Sequence, residues 1–168
     1  MLFVPEQDRP HFIRSKKMIE KQIVKIKKLR EDAIIPSYAT PFSAGADLCA
    51  CIDFEKITFN PKETKLIPTG LSVEIPEGFA GFIYARSSVA SKRGLAPANK
   101  VGVIDSDYRG EIMVALHNQS DSVQEIENRE RIAQLVIAPY IKAEFTECDS
   151  LEESVRGEGG FGSTGRKG

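Results

Sequence analysis

Tryptophan is absent, histidine occurs twice and cysteine three times in 168 residues. Each scarcity closes a line of chemistry. The two histidines, His11 and His117, lie in an N-terminal extension and in a strand-like run, so neither is placed as the base of a serine-nucleophile site. Cys49-x-Cys51 has no second pair and Cys148 stands alone, which argues against a zinc site and points to a reducing, cytoplasmic setting. No apolar run approaches the ~18 residues of a membrane helix, and the first residues hold no apolar core of a signal peptide. An excess of one charge is also missing. With 23 basic and 24 acidic residues the net charge is −1, so nothing draws the chain towards nucleic acid. Helical periodicity is scarce: only Ser88 to Arg93, before Gly94, reads as a short helical turn.

What is present is a one-domain length of mixed composition, 41% hydrophobic and 28% charged. Val24 and Ile26 alternate with Lys25 and Lys27, as in an edge strand showing lysine to water. A proline-punctuated loop, Ile35 to Pro41, follows. Strands are expected around Asp47, across Lys65 to Ile75, over Phe79 to Tyr84, over Ile132 to Ile137 and over Ile141 to Phe145. Short strands separated by glycine and proline predict a compact all-β sandwich or barrel. Residues 1–21 are polar and basic, read as a disordered extension. Residues 22–150 form the folded body, and the glycine-rich stretch 151–168 forms a flexible arm.

The densest chemistry lies in Gly102 to Glu111, GVIDSDYRGE. Period-2 alternation puts Asp105 and Asp107 on one face of an extended segment, while Asp-Ser-Asp also suits a polar β-turn. Downstream, Ile112, Val114 and Leu116 alternate with Met113, Ala115 and His117. Asn118-Gln119-Ser120 matches a glycosylation sequon that an intracellular setting leaves unused.

Three further clusters suit anions. Arg86, Ser87 and Ser88 stand where a strand meets the short helical turn, and Arg131 to Gln134 adds an arginine and an amide. In the tail, Arg156, Ser163, Thr164 and the glycine amides make an anion-binding set, with Phe161 offering a ring for stacking. Gly157-x-Gly159-x-x-Gly162 mimics a dinucleotide fingerprint, but no βαβ unit can follow it.

Five segments resemble, in order, the five motifs of the trimeric dUTP pyrophosphatase (dUTPase) family. They are AGADLCA (Ala44–Ala50), ARSSVASKRGL (Ala85–Leu95), GVIDSDYRGE, RIAQLV (Arg131–Val136) and RGEGGFGSTG (Arg156–Gly165). The resemblance implies a compact jelly-roll-like β-barrel of the dUTPase type. It also implies a homotrimer whose arms close over active sites at subunit interfaces. The implied reaction converts dUTP and water to dUMP and pyrophosphate with Mg²⁺, which keeps uracil out of DNA and supplies dUMP for thymidylate synthesis.

By the same resemblance, Asp105 orients and deprotonates the attacking water, and Tyr108 underlies the sugar and excludes a 2′-hydroxyl. Asn99 with the backbone of Gly102, Val103 and Ile104 reads uracil, and Met113 lies near the base. Arg86, Ser87, Ser88 and Gln134 take phosphate oxygens. In the arm, Arg156, Gly162, Ser163 and Thr164 take the γ-phosphate and Phe161 stacks on uracil. Asp47 reaches Mg²⁺ through water, the metal being held mostly by the phosphates. Ser88 stands where many members carry glycine, and a serine pair there also resembles the related dCTP deaminases. Deaminases usually carry tryptophan where Tyr108 stands. A catalytically silent nucleotide-sensing module is the third alternative.

Overall fold

The computed structural model describes residues 21–160. The expected N-terminal extension lies outside them but for Lys21. So do four arm residues expected at the site, Phe161, Gly162, Ser163 and Thr164.

Twelve strands and one helix follow in order: β1 (Lys25–Lys28), β2 (Ser37–Tyr38), β3 (Ala46–Cys49), β4 (Lys56–Phe59), β5 (Thr64–Pro68), β6 (Leu71–Glu74), β7 (Phe79–Ala85), α1 (Ser87–Arg93), β8 (Leu95–Pro97), β9 (Gly102–Ile104), β10 (Met113–Asn118), β11 (Gln124–Glu127) and β12 (Arg131–Pro139). A five-stranded sheet runs β2-β3-β12-β7-β9 and a three-stranded one β5-β10-β8, while β1-β6 and β4-β11 are pairs. The pairings are antiparallel throughout. This is a jelly-roll-like β fold. Among the described residues it wraps one core without closing into a barrel.

Strand character follows from position. β12 is flanked on both edges, by β3 and β7, and is nearly continuously apolar, with Ile132, Ala133 and Leu135 buried. β10 has one face on the core, so Val114 and Leu116 are buried while Met113 and His117 are not. β1 has one partner, β6, and shows lysines to water, as its alternation predicted. The expected Lys65 to Ile75 strand is two strands. Gly70, at φ +67°, breaks the run and lets β6 turn back along β1.

Two expectations are corrected. Ile141 to Phe145 alternates like a strand but forms none: no described strand pairs with it, and Ile141 and Phe145 are exposed. Asp105 and Asp107 do not share a face of an extended segment, because β9 ends at Ile104 and the Tyr108 amide donates to the Asp105 carbonyl at 3.2 Å. The Asp-Ser-Asp stretch is the turn that its composition also suited.

Asn118, in the sequon match, is fully buried. Its amide donates to the carbonyls of Phe59, Asn60 and Ser122 and accepts from Ser120, which ties three connections together. No helix among the described residues is long and apolar enough to cross a membrane.

Candidate active site

The site residues fall into two groups, one on each side of β7. The first begins where β8 turns into β9. Lys100 takes φ +64° in that turn, and β9 then pairs with β7, Ile83 opposite Gly102 and Gly81 opposite Ile104. β9 is the last strand of its sheet, so its outer backbone edge is unpaired by any described strand. Such an edge presents a row of donors and acceptors. A cleft of about 290 Å³ opens there. Leu66, Ile83, Val103 and Met113 supply apolar wall, and Asn99, Asp105, Tyr108 and Glu111 supply polar groups. A Cβ at Gly102 would lie 3.3 Å from both the Asn99 amide nitrogen and the Ile83 Cβ, a tight fit that glycine relieves.

Asp105 follows β9 directly and is exposed at the rim. It lines this cleft and also a shallow polar groove edged by Glu77, Asp107, Arg109 and Lys142. Tyr108 lies beneath the same rim with its hydroxyl donated to the Glu111 carbonyl at 2.9 Å.

The second group centres on Asp47, which is 5% exposed on β3. Arg86 Nε donates to its Oδ1 at 3.2 Å and Gln134 Nε2 to the same oxygen at 3.4 Å, while Arg131 Nη1 donates to Oδ2 at 3.2 Å. Arg131 and Gln134 are three positions apart and in a regular strand would face opposite ways. A register shift in β12 between Arg131 and Ala133 brings both to Asp47. Gly45 leaves the room that Gln134 fills, since a Cβ there would lie 3.0 Å from that of Gln134.

Arg86 is the residue before α1, and its Nη1 donates to the Ser88 hydroxyl at 2.8 Å. Ser87 opens the helix, which ends at Gly94 with φ +69°. The helix is tied down at its other end, where Arg93 pairs with the Glu130 carboxylate and donates to the Glu125 carbonyl. Glu130 lies outside the five motif segments, and the fold reveals it, with Arg93 of the second segment, as a support of this group. Burial, and after it the Asp47 carboxylate, push the nearby Cys49 thiol up.

The structure therefore gathers Asn99, Gly102, Val103, Ile104, Asp105, Tyr108 and Met113 in one cleft. Arg86, Ser88, Gln134 and Asp47 are gathered in one network, with Ser87 between Arg86 and Ser88. It does not bring the two together. Asp105 follows on from the register that sets Ile104 against Gly81, whereas Arg86 lies beyond the far end of β7. Six residues of strand separate the two levels, about 20 Å at ~3.3 Å per residue. Arg156 joins neither group, and its Nε donates to the Gly159 carbonyl at 2.7 Å.

Among the described residues no cluster of three His, Cys, Asp or Glu side chains exists, and both oxygens of Asp47 already face guanidinium groups. A cation here would have to bring most of its ligands with it, as magnesium does on phosphate oxygens.

A family model described as dUTPase matches residues 31–165. The deoxyuridine 5'-triphosphate nucleotidohydrolase of Desulfitobacterium hafniense (strain DSM 10664 / DCB-2) is 51% identical over 145 residues, covering 84% of this chain and 95% of that protein. Among solved structures, Staphylococcus bacteriophage 80alpha dUTPase with dUPNHPP has a TM-score of 0.79 at 30% identity, covering 87% of this chain and all of that one. A point mutant of the dUTPase from phage phi11 of S. aureus, described for its coordination of a structural Mg(II) ion, has a TM-score of 0.70 at 25% identity, covering 79% of this chain and all of that one.

Proposed function

This chain belongs to the dUTPase family and hydrolyses dUTP, and we propose that it does so at a site assembled between the subunits of a homotrimer. The observation that carries the proposal is the separation of the two groups. A water held by Asp105 cannot attack a phosphate held by Arg86 of the same chain across about 20 Å of strand. A neighbouring copy, laid with its Arg86 end against the Asp105 cleft, closes that gap. Rings of identical chains with such contacts are a common closed solution.

In this reading uracil lies against the unpaired edge of β9, between Asn99 and Met113. Fixed backbone donors and acceptors there complement the uracil edge and mismatch that of cytosine. The ring of Tyr108 forms the floor under the deoxyribose and leaves no room for a 2′-hydroxyl. Asp105 accepts a proton from water as its oxygen bonds to the α-phosphorus. The bond from that phosphorus to the bridging oxygen breaks, and dUMP and pyrophosphate result. Arg86, Ser87, Ser88 and Gln134 of the neighbouring chain hold phosphate oxygens. Asp47 keeps Arg86 in place before substrate arrives.

Asp47 would reach, through water, a magnesium bound to the triphosphate, and that ion would supply charge neutralisation for the departing pyrophosphate. The phage phi11 dUTPase mutant coordinates a structural Mg(II) ion, which is consistent with magnesium as the metal. The body spans residues 22–150 and the arm 151–168. The arm closes over the occupied site, Arg156, Gly162, Ser163 and Thr164 on the γ-phosphate and Phe161 on uracil. The free thiols Cys49, Cys51 and Cys148 suit a cytoplasmic location.

The test is pyrophosphate release from dUTP, UTP, dCTP and dTTP, with magnesium and then with EDTA. Release from dUTP alone, abolished by EDTA, is expected. Ammonia release from dCTP would favour a deaminase, and dUTP binding without turnover would favour a silent sensing module.

A further inference from the structure

We infer that Glu111 is a positioning residue that sets the choice between deoxyribose and ribose by fixing Tyr108. The inference rests on the reading of Tyr108 as the floor under the sugar.

Tyr108 is 45% exposed and sits on the turn after Asp105, so packing alone does not fix its ring. Hydrogen bonds do. Its hydroxyl donates to the Glu111 main-chain carbonyl at 2.9 Å, so it is engaged without any ligand. The Glu111 carboxylate reaches the other way and accepts the Gly70 amide at 2.7 Å.

Gly70 is a firm anchor. It has φ +67°, and the space where its side chain would stand is filled, with Ala33 Cβ 2.8 Å and Cys51 Sγ 2.9 Å away. The segment on either side of Glu111 is laid on the same element. Ser72 Oγ donates to the Arg109 carbonyl at 2.7 Å, and the Ile112 amide to the Leu71 carbonyl at 2.8 Å. Gly110 completes the seat: a Cβ there would fall 2.3 Å from the Tyr108 hydroxyl.

The ring thus occupies the place of a missing side chain. It is held by a carbonyl whose own residue is pinned through its carboxylate to the β5–β6 turn. Steric rejection of one hydroxyl needs a wall that does not yield. Releasing Glu111 frees the carbonyl that holds the wall, with no atom of the wall removed. The Asp105 carbonyl accepts the Tyr108 amide, so a loosened Tyr108 lowers the dUTP rate as well.

The experiment measures kcat/KM for dUTP and UTP in the full chain for wild type, Glu111→Ala, Glu111→Gln, Tyr108→Phe and Tyr108→Ala. The Gln side chain keeps an oxygen for the Gly70 amide without the charge, so its dUTP-to-UTP ratio should stay within about two-fold of wild type. Glu111→Ala should narrow the ratio about ten-fold or more, as a loosened wall admits the hydroxyl. Tyr108→Phe removes only the tethering hydroxyl and should narrow it too, which keeps the inference testable if Glu111→Ala does not fold. A Glu111→Ala protein that slows both substrates in proportion, while Tyr108→Ala narrows the ratio, overturns the inference and leaves the floor reading standing. An unchanged ratio in Tyr108→Phe, or a Glu111→Gln protein that behaves like Glu111→Ala, also overturns it. An unchanged ratio in Tyr108→Ala overturns the floor reading itself, and the inference with it.

Discussion

Asp47 and Arg131 meet at 3.2 Å across the β3–β12 pairing, and the carboxylate they share with Arg86 is almost fully buried. A buried carboxylate between two cations acts as a fixed hub. It holds Arg86 at the start of α1, where incoming phosphates would otherwise meet a mobile side chain.

Replacing Asp47 by Asn keeps the shape and removes the charge that both arginines face. Arg131 is half-exposed and part of its interaction is screened. A loss of about 1–2 kcal/mol is therefore expected, seen as a Tm lower by several degrees. The KM for dUTP should rise more than kcat falls, because Arg86 is released from its binding position. Unchanged Tm and KM in thermal melts and steady-state kinetics would contradict the hub.

Truncation after Val155 removes no described strand and no residue of the buried core. The shortened protein should melt within about 2 °C of the full chain and keep its oligomeric state. Its turnover should fall at least about a hundred-fold if the arm closes on the triphosphate and base as proposed. Full-rate turnover would separate the arm from the site.

The three cysteines should differ in reactivity. Cys49 and Cys51 are buried and Cys148 is exposed. Burial pushes both buried thiols up, and Cys51 also donates to the Asp32 carboxylate at 3.3 Å, which favours its neutral form. The thiolate is the nucleophile, so raised values slow alkylation. Iodoacetamide at pH 8 should add one group to the native chain and three to the denatured one, read by intact mass. The sign for stability follows. These raised values favour folding fully below the ordinary thiol value of 9.0, and that contribution is lost as pH rises beyond it. Three adducts on native protein would contradict the burial.

Much of the fold is legible in the chain. Val114 and Leu116 alternate because β10 rests one face on the core, and Ile132, Ala133 and Leu135 are apolar and buried because β12 lies between two partners. β4 and β11 escape notice, since Lys56-Ile-Thr-Phe59 and Gln124-Glu-Ile-Glu127 are short, mostly polar strands that pair only with each other. Ile141 to Phe145 misleads for the opposite reason: its alternation has no strand to meet. At the site, the motifs mark Asp105, Arg86 and Gln134 as residue types suited to phosphoryl chemistry. Their grouping is not legible. That Arg131 and Gln134 share one carboxylate depends on a bulge, and that Asp105 and Arg86 stand apart depends on the β7–β9 register. Pairing over long sequence separations sets both, and no local pattern encodes it.

The separation of Asp105 from Arg86 is the centre of the account, and mixing two inactive variants tests it. The Asp105→Asn and Arg86→Ala proteins should each lose nearly all turnover. If a site takes Asp105 from one chain and Arg86 from another, equal mixing with subunit exchange rebuilds a complete site at about one interface in four. About a quarter of wild-type turnover should then return. Recovery of that order would establish a shared site, and a mixture as inactive as its parents after proven exchange would contradict it.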